Sequence, residues 1–133
     1  MIKTTSQNRT KHTTTMNKNE SNQLRIGNYL QRLDDSIFQV TAQDILSISK
    51  WESNEGLLPR FIPLTEEILL RCGFEGRLGG EMVFGNFFIR QGENDSYFIF
   101  MGTKFIIELH NLQLHQLQNL YFALTGTELT LNQ

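Results

Sequence analysis

With 133 residues, 39% of them hydrophobic, and one cysteine, the chain can build one modest core but no internal disulfide, which fits a reducing cytoplasm. Its longest apolar runs, Tyr97 to Met101 and Phe105 to Ile107, fall far short of the ~18 residues a spanning helix needs, and Met1 to Asn22 lacks the apolar stretch of a secretory signal, so neither a membrane span nor export is expected. The net charge of −2 hides a split, about +3 on residues 1–22 and about −5 on the rest, and an acidic body argues against a dedicated duplex-DNA binder.

Residues 1–22 are rich in Thr, Asn, Lys and Ser and almost free of large apolar side chains, so they are expected to form a disordered tail ahead of a single α+β domain over 23–133. Met16 offers a second start, immediately before the pattern becomes regular. From Leu24 the alternation of Leu24, Ile26 and Leu30 against Arg25, Gly27 and Tyr29 reads as a strand. Asp34-Asp35-Ser36 supplies a turn, Ile37 to Thr41 a second strand, Asp44 another turn, and Ile45 to Trp51 a third strand, together a first antiparallel meander. Glu52 to Leu58 reads as a loop, and Pro59 and Pro63 hold the next stretch extended.

A short helix is expected after Pro63, with Thr65 as N-cap, Glu66 and Glu67 in its first turn, and Gly73 as a left-handed stop that carries Phe74 into a Schellman motif with Leu69. Beyond the glycines 76, 79 and 80, three β-prone segments follow, Met82 to Arg90, Tyr97 to Met101 and Lys104 to Leu109, making a second meander. Leu114, Leu117, Leu120, Tyr121 and Leu124 recur at spacings of three and four and predict a C-terminal helix that Gly126 ends. The expected architecture is thus a small antiparallel β-rich α+β domain of two three-stranded meanders and two helices, arranged as an SH3-like or partly open barrel.

No convincing catalytic constellation stands out in the sequence, and an enzymatic reading requires His110 or His115 to meet Cys72 or a carboxylate in a pocket. Gly73 to Gly80 lacks the Gly-Lys-Ser/Thr entry into a helix that a phosphate loop requires. His110 and His115 are five apart, where a zinc-binding helix needs three or four, so neither a metal nor any other cofactor is expected. Cys72 falls on the apolar side of its helix and reads as a small buried hydrophobe. Glu66 and Glu67 are explained by the helix dipole.

Two binding readings remain. In the first, a non-enzymatic protein-interaction module, the partner is an unidentified protein docked by Trp51 and by the amide-bearing side of the last helix, His115, Gln116, Gln118 and Asn119, where uncharged amides stand in place of Lys and Glu. In the second, Phe87, Phe88, Arg90 and Lys104, with the other phenylalanines of the second meander and Arg77, form a stacking platform for single-stranded nucleic acid, aided by the basic tail. The few basic residues nearby favour the first. Phe87 and Phe88 cannot both point inward on a regular strand, so one of them needs a helix, a partner or a bulge to cover it.

Three blocks, Leu24-Arg25-Ile26-Gly27-Asn28-Tyr29, Ile62-Pro63-Leu64-Thr65-Glu66-Glu67 running to Cys72-Gly73-Phe74, and His115 to Gly126 (HQLQNLYFALTG), occur in an order that resembles a widespread group of short uncharacterised bacterial proteins, often met in phages and mobile elements. The resemblance spans about 23 to 129 and is most specific in its last block. It implies a context and no assigned activity.

Overall fold

The structure is a computed structural model that describes residues 18–50 and 58–132. Over the described residues it is a small α+β protein with two antiparallel sheets, of two and five strands, and a C-terminal helix. Two compact units divide it: residues 18–50 and 58–63 with Gln113–Gly126, and Leu64–Leu112 with 127–132. The expectation of one domain over 23–133 carries no hint of that division. No helix among the described residues is long and apolar enough to cross a membrane.

In the first unit, regular structure begins inside the segment expected as a tail, with a 3-10 helix over Lys18–Gln23 in which Ser21 is buried. The strand expected from Leu24 is shorter. Residues 24–28 turn instead, through Leu24 N–H to Ser21 O and Asn28 N–H to Arg25 O, and β1 covers only Tyr29–Gln31. It pairs antiparallel with β2, Ile37–Gln39, as the turn at Asp34-Asp35-Ser36 predicts. The third expected strand, Ile45 to Trp51, is corrected outright: Ala42–Ser49 is helix α1.

The cause is a capping box that alternation conceals. Thr41 Oγ1 accepts from Asp44 N–H at 3.1 Å, and the Asp44 carboxylate accepts from Thr41 N–H at 2.8 Å. Asp44 therefore starts a helix rather than ending a strand. Ile45 and Ile48, three apart, then turn one face inward, and Ile48 joins a core of Leu30, Val40 and Phe61. Trp51 and the loop expected to follow it, as far as residue 57, lie outside the described residues.

In the second unit, α2 spans Glu66–Arg71 with Thr65 Oγ1 accepting from Ile68 N–H, as its cap residues predict. Gly73 lies at φ +101°, Phe74 N–H reaches Leu69 O and Gly73 N–H reaches Leu70 O, each at 3.0 Å, which is the full Schellman pattern. A Cβ on Gly73 would stand 3.1 Å from the Phe84 ring. Gly73→Ala is therefore expected to lower unfolding free energy by roughly 1–2 kcal/mol, combining left-handed strain with that close approach, as measured by urea titration.

The second meander is richer than its three expected strands. Glu75–Gly76 forms β3, and Met82 to Arg90 is two strands, β4 (Glu81–Phe84) and β5 (Phe87–Gln91), joined by a two-residue turn at Gly85 (φ +61°) and Asn86. With β6 (Ser96–Met101) and β7 (Lys104–His110) the sheet runs in the order β3-β4-β5-β6-β7. Its outer strands do not pair, so the sheet is open. The inner face carries Met82, Phe87, Ile89, Tyr97 and Ile99, all buried, and Phe74 after α2 meets Phe87 edge-on at 6.1 Å between ring centres.

Candidate functional site

The helix α3, Leu114–Thr125, begins and ends where its leucine spacing and Gly126 predict. Its polar side chains are nevertheless turned to internal use. Gln118 is 1% exposed: its Oε1 accepts from Tyr29 N–H at 2.8 Å, and its Nε2 donates to Gly27 O at 3.1 Å. Asn119 Oδ1 accepts from Arg25 Nε and from Asn28 Nδ2, both at 2.9 Å, while Asn119 Nδ2 donates to Gln23 O at 3.1 Å. Asn28, wholly buried, accepts at its Oδ1 from Arg25 N–H. The amides of α3 thus hydrogen-bond three backbone groups of residues 23–29, Gln23 O, Gly27 O and the buried Tyr29 N–H.

His115 is also wholly buried. Its ring stacks on Phe61 at 4.3 Å and 15°, with Nε2 3.2 Å from Gln23 Oε1, and burial pushes its pKa down to about 4. Gln116 alone of the four is exposed, and its Oε1 accepts from Gln113 N–H at 2.9 Å at the start of the helix. Burial thus takes His115 and Gln118 out of the docking surface expected on α3, while Gln116 stays exposed. An amide facing a neighbouring backbone looks the same in sequence as one facing solvent.

Cys72 is buried and its thiol is pushed up to about 11 by that burial, the opposite of what a nucleophile needs. His110 stands on β7, 3.4 Å from Glu108, while His115 is in the core of the other unit. Among the described residues, no group of three or more His, Cys, Asp or Glu side chains could hold a metal ion.

The outer face of the five-stranded sheet is different. Phe87 belongs to the core, and Phe88 faces the opposite way, so the conflict between them is solved by the pleat. Strand register sets Val83, Phe88, Phe100 and Phe105 in one row across β4 to β7, and Glu81, Arg90, Phe98 and Glu108 in the next. Phe105 is 52% exposed and lies 5.6 Å from Phe100 and 6.5 Å from Phe98, ring centre to ring centre. Two guanidinium groups cover the rings, Arg77 at 5.6 Å over Phe88 and Arg90 at 5.3 Å over Phe100. Arg90 also lies 3.7 Å from Glu81.

No known family, curated protein or solved structure matches this chain. The face must therefore be judged on its own chemistry. Of the residues expected for a stacking platform, it brings together Phe88 and Arg90. Phe87 is excluded by burial, and Lys104 stands opposite Met101, in register with the other side of the sheet. The residues that complete the face, Phe98, Phe100, Phe105 and Arg77, were recognisable as an aromatic, partly basic cluster; which rings share a row depended on the hairpin registers. The unit that carries the face is acidic, with four Lys and Arg against eight Asp and Glu.

Proposed function

We infer that this protein is a non-enzymatic protein-binding module whose docking surface is the outer face of the five-stranded sheet. The observation that carries this reading is the cross-strand row of phenylalanines ending at half-exposed Phe105, flanked by Arg77, Arg90, Glu81 and Glu108. An aromatic centre with a rim of both charge signs is the composition that protein interfaces favour. Single-stranded nucleic acid also stacks on aromatic sheet faces, but it needs a cationic surround, and the excess of carboxylates in this unit opposes polyphosphate. A cytoplasmic setting goes with this reading through the single cysteine, and the three sequence blocks add a phage or mobile-element context.

Phe105→Ala is the discriminating variant, because an exposed edge-strand side chain can be removed at little cost to folding. Tagged full-length protein and this variant are to be compared as baits in host lysate, with and without nuclease. The expected result is a protein retained after nuclease treatment and reduced about tenfold by Phe105→Ala, a loss typical of an interface anchor. Equal retention by both baits would move docking off this face. Bound material that vanishes with nuclease would restore the nucleic-acid reading.

A further inference from the structure

The opposite, inner face of the same sheet holds a separate feature. Between α2 and the sheet lies a cavity of about 170 Å³, floored by Leu69, Met82, Ile89 and the ring of Tyr97. A cavity of roughly 150 Å³ with walls of this kind accommodates benzene, so the space suits an apolar body of six or seven carbon atoms. Floor residues come from a helix and three strands and are buried, so the space is built into the fold.

The charges around the mouth decide which polar group such a body would carry. Arg77 and Glu81 border the cavity, but their charged ends are spent on the outer face, Arg77 over Phe88 and Glu81 beside Arg90. Tyr97 Oη donates to Leu64 O, and Thr65 Oγ1 accepts from Ile68 N–H, so these polar atoms are also engaged. That leaves the carboxylate of Glu66 and the carboxamide of Gln91, both on exposed residues at the rim and neither in a hydrogen bond or ion pair among the described residues. Gln91 shares the inner face with Phe87 and Ile89 by strand alternation and stands opposite Tyr97. An apolar well rimmed by one carboxylate and one carboxamide, in a unit with excess negative charge, selects a cation.

We propose that the cavity between α2 and the sheet binds small organic amines, taking an apolar body of about benzene size onto Leu69, Met82, Ile89 and Tyr97 while the ammonium meets Glu66 and Gln91. The binding is non-covalent and independent of the outer face.

The test uses three compounds of similar size that share a phenyl ring and carry a cationic, a neutral and an anionic group, benzylamine, benzyl alcohol and benzoate, titrated into full-length protein with methyl NMR shifts of Leu69, Met82 and Ile89 as the readout. Benzylamine is expected to shift these methyls with a Kd on the order of 1 mM, as its size allows, and benzoate to bind at least tenfold more weakly. Glu66→Gln, an exposed change in the first helical turn, is expected to weaken benzylamine about tenfold and leave benzyl alcohol unaltered. Benzoate binding as well as benzylamine, benzylamine binding unaltered by Glu66→Gln, or no methyl shift with any of the three, would each overturn the proposal. Loss of partner capture by Phe105→Ala would not bear on it, so the two readings fail separately.

Discussion

Gln118→Ala is expected to lower the unfolding free energy by roughly 3 kcal/mol, the upper part of the range for breaking a buried polar network. Three effects combine. Tyr29 N–H, inside β1 and buried, loses the acceptor 2.8 Å away; Gly27 O loses the donor at 3.1 Å; and Asn28 Nδ2 loses a second, longer contact of 3.4 Å. Water cannot replace the missing amide without a path to a site that is 1% exposed. Gln118→Leu is expected to be no better, because filling the volume still leaves the donor and the acceptor unpaired. Gln116→Ala serves as the control. Its side chain is exposed and among the described residues holds Gln113 N–H alone, so a loss of about 0.5–1 kcal/mol is expected. Equilibrium urea unfolding of the variants measures the difference, and equal losses for Gln116→Ala and Gln118→Ala would refute the assignment of the network.

Acidification provides the second large effect. In the unfolded chain His115 protonates near its ordinary pKa of 6.5, whereas burial holds the folded value down to about 4. Between these values the unfolded chain binds more protons, so stability is full above about pH 6.5 and is lost as the pH falls toward 4. At ~1.4 kcal/mol per pKa unit the loss attributable to this one ring is roughly 3 kcal/mol. The ring stacks on Phe61 and meets the neutral amide of Gln23, and among the described residues no carboxylate pairs with it to compensate an imidazolium. Asp34 acts in a different window: the Ser36 hydroxyl, before any other cause, lowers its pKa below 3.8, so its contribution fades only at more acid pH. His115→Phe, which keeps a ring against Phe61, is expected to flatten the stability profile between pH 6.5 and 4 relative to the unaltered protein. Profiles that stay parallel across that interval would show that this ring is not the titrating group.

Both effects arise on α3, whose residues look in sequence like a surface awaiting a partner. The helix itself was legible, because leucines at three- and four-residue spacing and a glycine stop are local signals that burial then rewards. So was α2, since Thr65, Glu66, Glu67 and the Gly73-Phe74 pair each act within one turn of their neighbours. The hairpin turn at Asp34 to Ser36 was local as well. Helix Ala42–Ser49 was not legible, because period-two and period-three patterns coincide over so few residues that the reciprocal bonds between Thr41 and Asp44 decide the outcome.

By itself, then, the sequence determined the α+β class, the two flanking helices of the larger sheet's segment and the β-prone aromatic stretch, all properties set by neighbours within a turn or a strand. Only the tertiary structure decided what the polar and aromatic side chains do. Gln118 lies 89 residues from the backbone N–H of Tyr29 that it caps, and Phe105 takes its place beside Phe100 through a register shifted by an irregularity at Ile99 and Phe100. Whether an amide is buried bonding or exposed, and whether a phenylalanine fills a core or fronts a face, depends on which distant backbone comes to lie against it; local propensity carries no information about that distance.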